Sequence, residues 1–315
     1  MLQYRHRCTP DLDKLWVITV VSNPQRYKSR YELYHRFKVG VERVGANLIT
    51  VELALGDRCF ELTDRDNPRH VQLRTMDELW HKENMQNLGA ERVPPDCKYL
   101  MFCDADIEFV RHDWPEEVVQ QLQHYKVVQP FQSVIDLGPN GEALKIMDGF
   151  VYSWVNNAPA PFSYGGSGPF WHPGFSTAYR IDSFSDLGGL VDWAILGSAD
   201  FHMWWALIGK TREKLASKVS SAYRKHLLIW EDRALSAIRK NIGYMPGTIY
   251  HHWHGKKVNR RYEDRYQILY RHNYDPELDI QDDWQGLKRF SNRGDRMRND
   301  IRAYFAQRNE DDITL

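Results

Sequence analysis

Apolar positions fall in short, dense runs early in the chain. Leu15 to Val21 (LWVITVV) is rich in β-branched residues and stops at Ser22-Asn23-Pro24, which predicts a buried parallel strand entering a loop. Over residues 28–44 the period changes, with Tyr31, Tyr34, Phe37, Val41 and Val44 at helical spacing. Leu48 to Leu55 predicts a second strand, followed by a polar stretch from Asp57 to Arg74. Residues 77–92 predict a helix ending before Pro94-Pro95, and Tyr99 to Cys103 (YLMFC) a third strand. Strands alternating with helices in this way imply βαβ units, hence an α/β fold with a mostly parallel, doubly wound sheet.

Beyond residue 110 the pattern loosens. Helices are expected at 115–125, 199–209, 225–240, 258–272 and 296–308, and strands at 127–134, 175–181 and 249–253. The stretch 156–174 is dense in Gly, Pro and Asn and reads as a long functional loop, with 163–174 as a lid.

Charge changes this picture only locally. The 315 residues hold 42 Lys+Arg and 42 Asp+Glu, a net charge of zero, which excludes a uniformly polycationic nucleic-acid binder. Residues 201–261 nevertheless hold 13 basic and 3 acidic residues, a net +10. That block includes Lys214, Lys218, Arg224, Lys225, Arg239 and Lys240, mixed with Tyr223 and Trp230. It suits a phosphate backbone such as duplex DNA, or else a solvated helix face beside a phosphate pocket. No apolar run is long enough to cross a membrane, and Met1 to Lys14 has no apolar core, so neither a membrane span nor a secretory signal is expected. Cys8, Cys59, Cys97 and Cys103 form no CxxC pair and no zinc spacing, which fits thiols in a reducing cytoplasm.

Four constellations carry candidate chemistry. Asp104-Ala105-Asp106 follows the third strand, where ligands bind in open α/β sheets, and two carboxylates there can share a divalent ion that grips a diphosphate. The bland alternative is an acidic pair at a helix start. Tyr250-His251-His252-Trp253-His254-Gly255 precedes Lys256, Lys257, Arg260 and Arg261. On a strand, His252 and His254 would share a face and could ligate a metal, with the cations holding phosphate; otherwise this is an exposed polar strand end. Asp200, in Gly197-Ser198-Ala199-Asp200, is either a general base or an ordinary residue of a helix first turn. Lys82, Glu83 and Asn87 lie on the helix before the third strand and by themselves read as an amphipathic surface.

The VITVV strand, the KExxxN helix, the strand ending in DAD, GSAD and the late HGKK together resemble a GT-A glycosyltransferase. HPGFSTAYR, LGGLVDWAILGSAD, PGTIYHHWHG and NRRYEDRYQIL resemble a subgroup found in bacteria and their viruses. The resemblance covers about 15–275. It implies one GT-A domain over 1–275, with a nucleotide-sugar half at about 15–110 and an acceptor half at about 111–275, and a helical extension over 276–315. It also implies a nucleotide-diphosphate sugar donor, a UDP-sugar first, and Mn²⁺ or Mg²⁺. Asp106 would bind the metal and Asp104 the ribose and a metal water. His254 would be the late metal ligand, with His252 its substitute. Lys82, Asn87, Ser22, Asn23 and Arg26 would contact the donor, and Lys256, Lys257 and Arg260 its phosphates. Asp200 would be the base. GSAD in place of a double acid leaves inverting and retaining chemistry both open. The viral part of the resemblance implies a hydroxymethylated base in phage DNA as acceptor, in a host cytoplasm. Protein or polysaccharide acceptors, a metal-dependent phosphohydrolase or nuclease, and a binding module without catalysis are the alternatives.

Overall fold

Side chains of β1 (Leu15–Ser22) alternate between two cores. Leu15 and Val17 join one apolar cluster and Ile18 joins the other, so the strand is covered on both faces. A computed structural model of the chain describes residues 11–158, 171–262 and 264–314.

After β1 come α1 (Lys28–Arg43), β2 (Asn47–Leu55), β3 (His70–Thr75), α2 (Lys82–Ala90) and β4 (Tyr99–Cys103). Next are β5 (Ile107–Phe109), α3 (Trp114–His124), β6 (Val127–Gln129), β7 (Ser133–Leu137), β8 (Ala143–Asp148) and α4 (Phe150–Val155). Then follow β9 (Ser176–Arg180), α5 (Ile181–Leu187), α6 (Ala199–Leu207), α7 (Thr211–Lys214) and α8 (Ser221–Ala237). The remainder is β10 (Ile242–Tyr244), β11 (Thr248–His251), α9 (Tyr266–His272), β12 (Ile280–Asp282), β13 (Lys288–Phe290) and α10 (Arg298–Ala306).

Seven strands form the central sheet in the order β10-β6-β9-β4-β1-β2-β3. All its pairings are parallel except those of β9, which runs antiparallel between β4 and β6. Helices α1 and α3 pack on one face through Phe37, Val41, Trp114 and Val118. Met85, Phe184, Trp204 and Leu227, from α2, α5, α6 and α8, pack on the other. The expected mixed α/β fold with a mostly parallel sheet is therefore present. A second sheet, β5-β11-β7-β8, stands beside it, and β12 pairs with β13 in a hairpin.

The departures from expectation have physical causes. The polar stretch 57–74 contains most of β3, an edge strand that buries only Val71, Leu73 and Thr75 and turns His70, Gln72 and Arg74 outward. The single strand expected at 127–134 breaks at Pro130, so that β6 and β7 belong to different sheets. The helix expected from 77 begins at Lys82. Asp77 and Glu78 instead turn their carboxylates to the C-terminal part, accepting from Phe290 N at 2.8 Å and Arg302 Nε at 2.7 Å. The helix expected over 258–272 divides into a 3₁₀ turn, Lys257–Arg260, and α9. Residues 276–314 hold the β12–β13 hairpin as well as a helix. Most of the Gly-rich loop lies outside the described residues. No described helix is long and apolar enough to cross a membrane. Cys97 and Cys103 are buried free thiols and Cys59 is an exposed one.

Candidate active site

The C-terminal ends of β1 and β4 open into a cavity of about 390 Å³. Thr19 Oγ1 donates to Cys103 O at 3.0 Å and ties the two strand ends together. Ser22 and Asn23 leave β1, Lys82 opens α2, Asp104 and Asp106 follow β4, and Asp200 lies in the first turn of α6; all six line the cavity. This is where an open α/β sheet presents its loops.

The second sheet assembles the deepest part. Asp106 directly precedes β5, and its carbonyl accepts from His252 N at 2.9 Å. His251, the last residue of β11, is in register with Ile107 of β5 on one side and Asp136 of β7 on the other. Asp106, His251 and His254 thereby bring one potential ligand atom each within 4.8 Å of one another. His254 Nε2 lies 3.0 Å from Asp106 Oδ2 and 3.2 Å from His251 Nε2. His251 Nδ1 donates to Asp136 Oδ1 at 2.6 Å, which leaves the Nε2 lone pair facing His254 and Asp106. Asp106 Oδ1 is buried with no hydrogen-bond partner. A carboxylate and two imidazoles turned on one another at depth are a set that can hold a divalent cation. Burial lowers the pKa of His251 and His254 to about 4, so both rings are neutral near pH 7, as ligands must be. Burial would raise Asp106, but His254, His251 and Arg30 hold it well below the usual carboxylate range.

His252 departs from the expected pairing with His254. The strand ends at His251 and the chain turns through Gly255, at φ +81°, so strand alternation no longer applies. His252 Nε2 meets Glu108 Oε2 at 3.1 Å and Nδ1 meets Arg36 at 3.3 Å, away from the cavity.

A second part of the cavity wall is built differently. Lys82 Nζ contacts Asp104 Oδ1 at 2.5 Å. Burial raises the Asp104 pKa despite Lys82, with Asp106 adding to the rise. Burial also pushes the Glu83 carboxyl up to about 8. Asp200 is aimed by a tight turn, in which Gly197 (φ +82°) and Ser198 (φ +68°) are both left-handed. Tyr266 Oη donates to Gly197 O at 3.2 Å, and Arg265 donates to Ser198 Oγ. Asp200 Oδ1 accepts from Phe201 N at 2.8 Å, whereas Oδ2 faces Gly174, where an added Cβ would come within 2.9 Å of it.

Lys257 and Arg260 line the cavity, Lys257 bonded to Asp136 and Arg260 Nη2 lying 2.9 Å from His254 Nε2. Arg26, Asn87 and Lys256 do not line it. Arg26 pairs with Glu61 at 3.3 Å on the surface. Asn87 clasps Leu190, accepting from its N–H at 2.9 Å and donating to its carbonyl at 3.2 Å. Sequence reasoning missed His251 as a member of the cluster, and with it Asp136, Arg30, Arg308 and Glu310. An acid inside the apolar SVIDL run was a signal for Asp136. The other three carried no local signal.

No family model matches the chain, and no curated protein matches it. Among solved structures, it is similar to a variant of Drosophila β1,4-galactosyltransferase 7 in complex with manganese, UDP-Gal and xylobiose, at 10% identity and TM-score 0.39, over 88% of this chain and 94% of that one. The catalytic domain of that galactosyltransferase with xylobiose aligns at 11% identity and TM-score 0.31, over 60% of this chain and 58% of that one. TarS of S. aureus aligns at 11% identity and TM-score 0.42, over 81% of this chain and 39% of that one. The chain thus spans 58% of the galactosyltransferase catalytic domain with xylobiose and well under half of TarS, but 94% of the manganese complex. Similarity this remote carries no weight for the chemistry, which rests on the residues of the cavity.

Proposed function

We propose that the chain is a metal-dependent glycosyltransferase that moves a sugar from a nucleotide-diphosphate sugar, a UDP-sugar first, to an acceptor hydroxyl. The observation that carries this reading is the convergence of Asp106, His251 and His254 in a cavity also lined by Lys82, Lys257 and Arg260. A divalent cation held by those three side chains would supply charge neutralisation for a departing diphosphate. Two imidazoles and one carboxylate suit Mn²⁺ better than Mg²⁺, which prefers oxygen ligands. Lys257 and Arg260 bind phosphate oxygens on one side and Lys82 on the other, by charge-assisted hydrogen bonds. Ser22 and Asn23 meet the nucleoside. Asp200 takes the acceptor proton on Oδ2, the oxygen its own helix leaves unused. His252, facing Glu108 and Arg36, has no part in this scheme.

The finer proposal is a hydroxymethylated base in duplex DNA as acceptor. Its support is charge alone, through exposed Lys218, Lys225, Arg239 and Lys240. The expected aromatic contribution is lost, because Tyr223 and Trp230 are core residues, each 1% exposed, and cannot stack on bases.

Incubation with Mn²⁺ and a panel of nucleotide sugars tests the reaction: release of nucleoside diphosphate is expected. Phosphodiester cleavage without a sugar donor would mark a phosphohydrolase instead. Mass spectrometry of hydroxymethylated against plain DNA tests the acceptor, with added sugar mass expected on the hydroxymethylated duplex alone. No added mass on either would exclude DNA in favour of a protein or polysaccharide hydroxyl.

A further inference from the structure

Arg308 and Glu310, in the segment 308–312, line the cavity. Asp311 accepts from the backbone N–H groups of Lys28 and Ser29 at 2.9 and 2.8 Å and so caps α1. Ser29 Oγ donates to Glu310 O at 3.1 Å, and Asn309 N donates to Tyr27 Oη at 3.0 Å. On the other side, Trp253 Nε1 donates to Asp312 O at 2.6 Å. Gly255 lies so close that a Cβ there would come within 2.6 Å of Asn309 O. The segment is held between the start of α1 and the turn that carries His254.

It delivers one carboxylate inward. Glu310 is 3% exposed. Arg30 donates to it through Nε and Nη2, the latter at 2.9 Å, and Arg308 Nε donates at 2.6 Å. Its Oε2 stands 3.6 Å from His254 Nδ1, a buried nitrogen without a hydrogen-bond partner. His254 Nε2 lies 2.9 Å from Arg260 Nη2 and 3.0 Å from Asp106 Oδ2; ligation of a cation through Nε2 would place the ring proton on Nδ1, facing Glu310. Arg30 in turn reaches Asp106 Oδ2 at 3.8 Å.

We infer that Glu310 is a positioning residue that orients His254 and Arg30 toward Asp106, as Asp136 orients His251, and that divalent-cation binding depends on it. This rests on the metal reading proposed above. A carboxylate behind a ligating imidazole fixes its tautomer and raises its basicity, and losing one costs about 10–100-fold in metal affinity.

The test titrates Mn²⁺ by calorimetry into the wild-type chain, Glu310→Gln, Glu310→Asp, and chains lacking residues 313–315 or 308–315. The imidazole ¹⁵N signals of His254 are recorded in the wild type and Glu310→Gln without metal. Glu310→Gln is expected to weaken Mn²⁺ binding by about 10–100-fold. Glu310→Asp should recover part of that loss. Removal of 313–315 should change nothing, and removal of 308–315 should abolish binding. The His254 signals should report an Nδ1-protonated ring in the wild type and a tautomer mixture in Glu310→Gln. Unchanged Mn²⁺ affinity in Glu310→Gln would overturn the inference. If the wild type binds no Mn²⁺, the metal reading fails separately; the His254 tautomer then decides, and identical signals in the two proteins would remove the positioning role. Should Glu310→Gln fail to fold, Glu310→Asp against the 313–315 deletion carries the comparison: full wild-type affinity and tautomer in Glu310→Asp would overturn it.

Discussion

The two walls of the cavity treat neighbouring carboxylates in opposite ways. On one wall Asp106 meets two neutral imidazoles, has an oxygen without a partner and is held strongly acidic. On the other, Asp104 meets Lys82, shares its surroundings with Glu83 and Asp200, and has a raised pKa. Only one residue separates the two acids in sequence. The first wall gathers an unpartnered carboxylate oxygen and imidazole nitrogens that a divalent cation would bind. The second already holds its own cation beside a Glu83 carboxyl that burial pushes up to about 8, which suits proton handling. A DxD spacing thus marks a location, and the neighbours supplied by other elements decide each acid's part.

The most severe way to break this contrast is Asp106→Asn. It should abolish Mn²⁺ binding by calorimetry and reduce nucleoside diphosphate release to background, with thermal melting retained. Persisting Mn²⁺ affinity would place the cation elsewhere. Asp200→Asn should act on the other wall only, lowering kcat by about 10²–10⁴-fold while Mn²⁺ affinity stays unchanged. Within the first wall, Asp136→Asn should weaken Mn²⁺ binding by about 10–100-fold. His252→Ala should leave it alone, and equal losses in the two variants would erase the distinction between His251 and His252.

Acid sharpens the comparison further. His251 and His254 titrate at about 4 when folded, against 6.5 for an ordinary imidazole. Between those values the unfolded chain binds more protons, so stability is full above about pH 6.5 and declines as pH falls toward 4. Thermal melts at pH 7, 5.5 and 4.5 should step downward, and a flat series would contradict neutral buried imidazoles. The smallest effect expected is that of Asn87→Ala. It should cost roughly 1–3 kcal/mol by leaving the Leu190 backbone groups unpaired, without changing KM for the donor.

Legibility followed burial. The YLMFC run is buried at every position, so its strand, and the acids at its end, stand out from the hydropathy alone. β3 is an edge strand with one wet face, and HVQLRT reads as polar sequence until the pairing with β2 is seen. Three histidines in four residues advertised a site, but choosing among them depended on where β11 stops. An expected end two residues later than the observed one pairs His252 with His254, whereas the turn after His251 brings His254 back to His251. The resemblance implies a donor contact for Asn87, but its side chain is spent on the Leu190 backbone, a use no local pattern reveals. Glu310 sits in a polar stretch with nothing to distinguish it from its acidic neighbours.

Arg30 and Glu310 are 280 positions apart, yet their ion pair stands directly behind Asp106 and His254. Contacts of that sequence separation pay the full loop-closure entropy of the intervening chain, so in folding they mature after the local βαβ pairings. The cluster around Asp106 and His254 is therefore complete only once the chain on both sides of the central sheet has docked. A fragment that keeps the central sheet but loses either Lys28–Arg43 or residues 308–312 would lack one half of this ion pair.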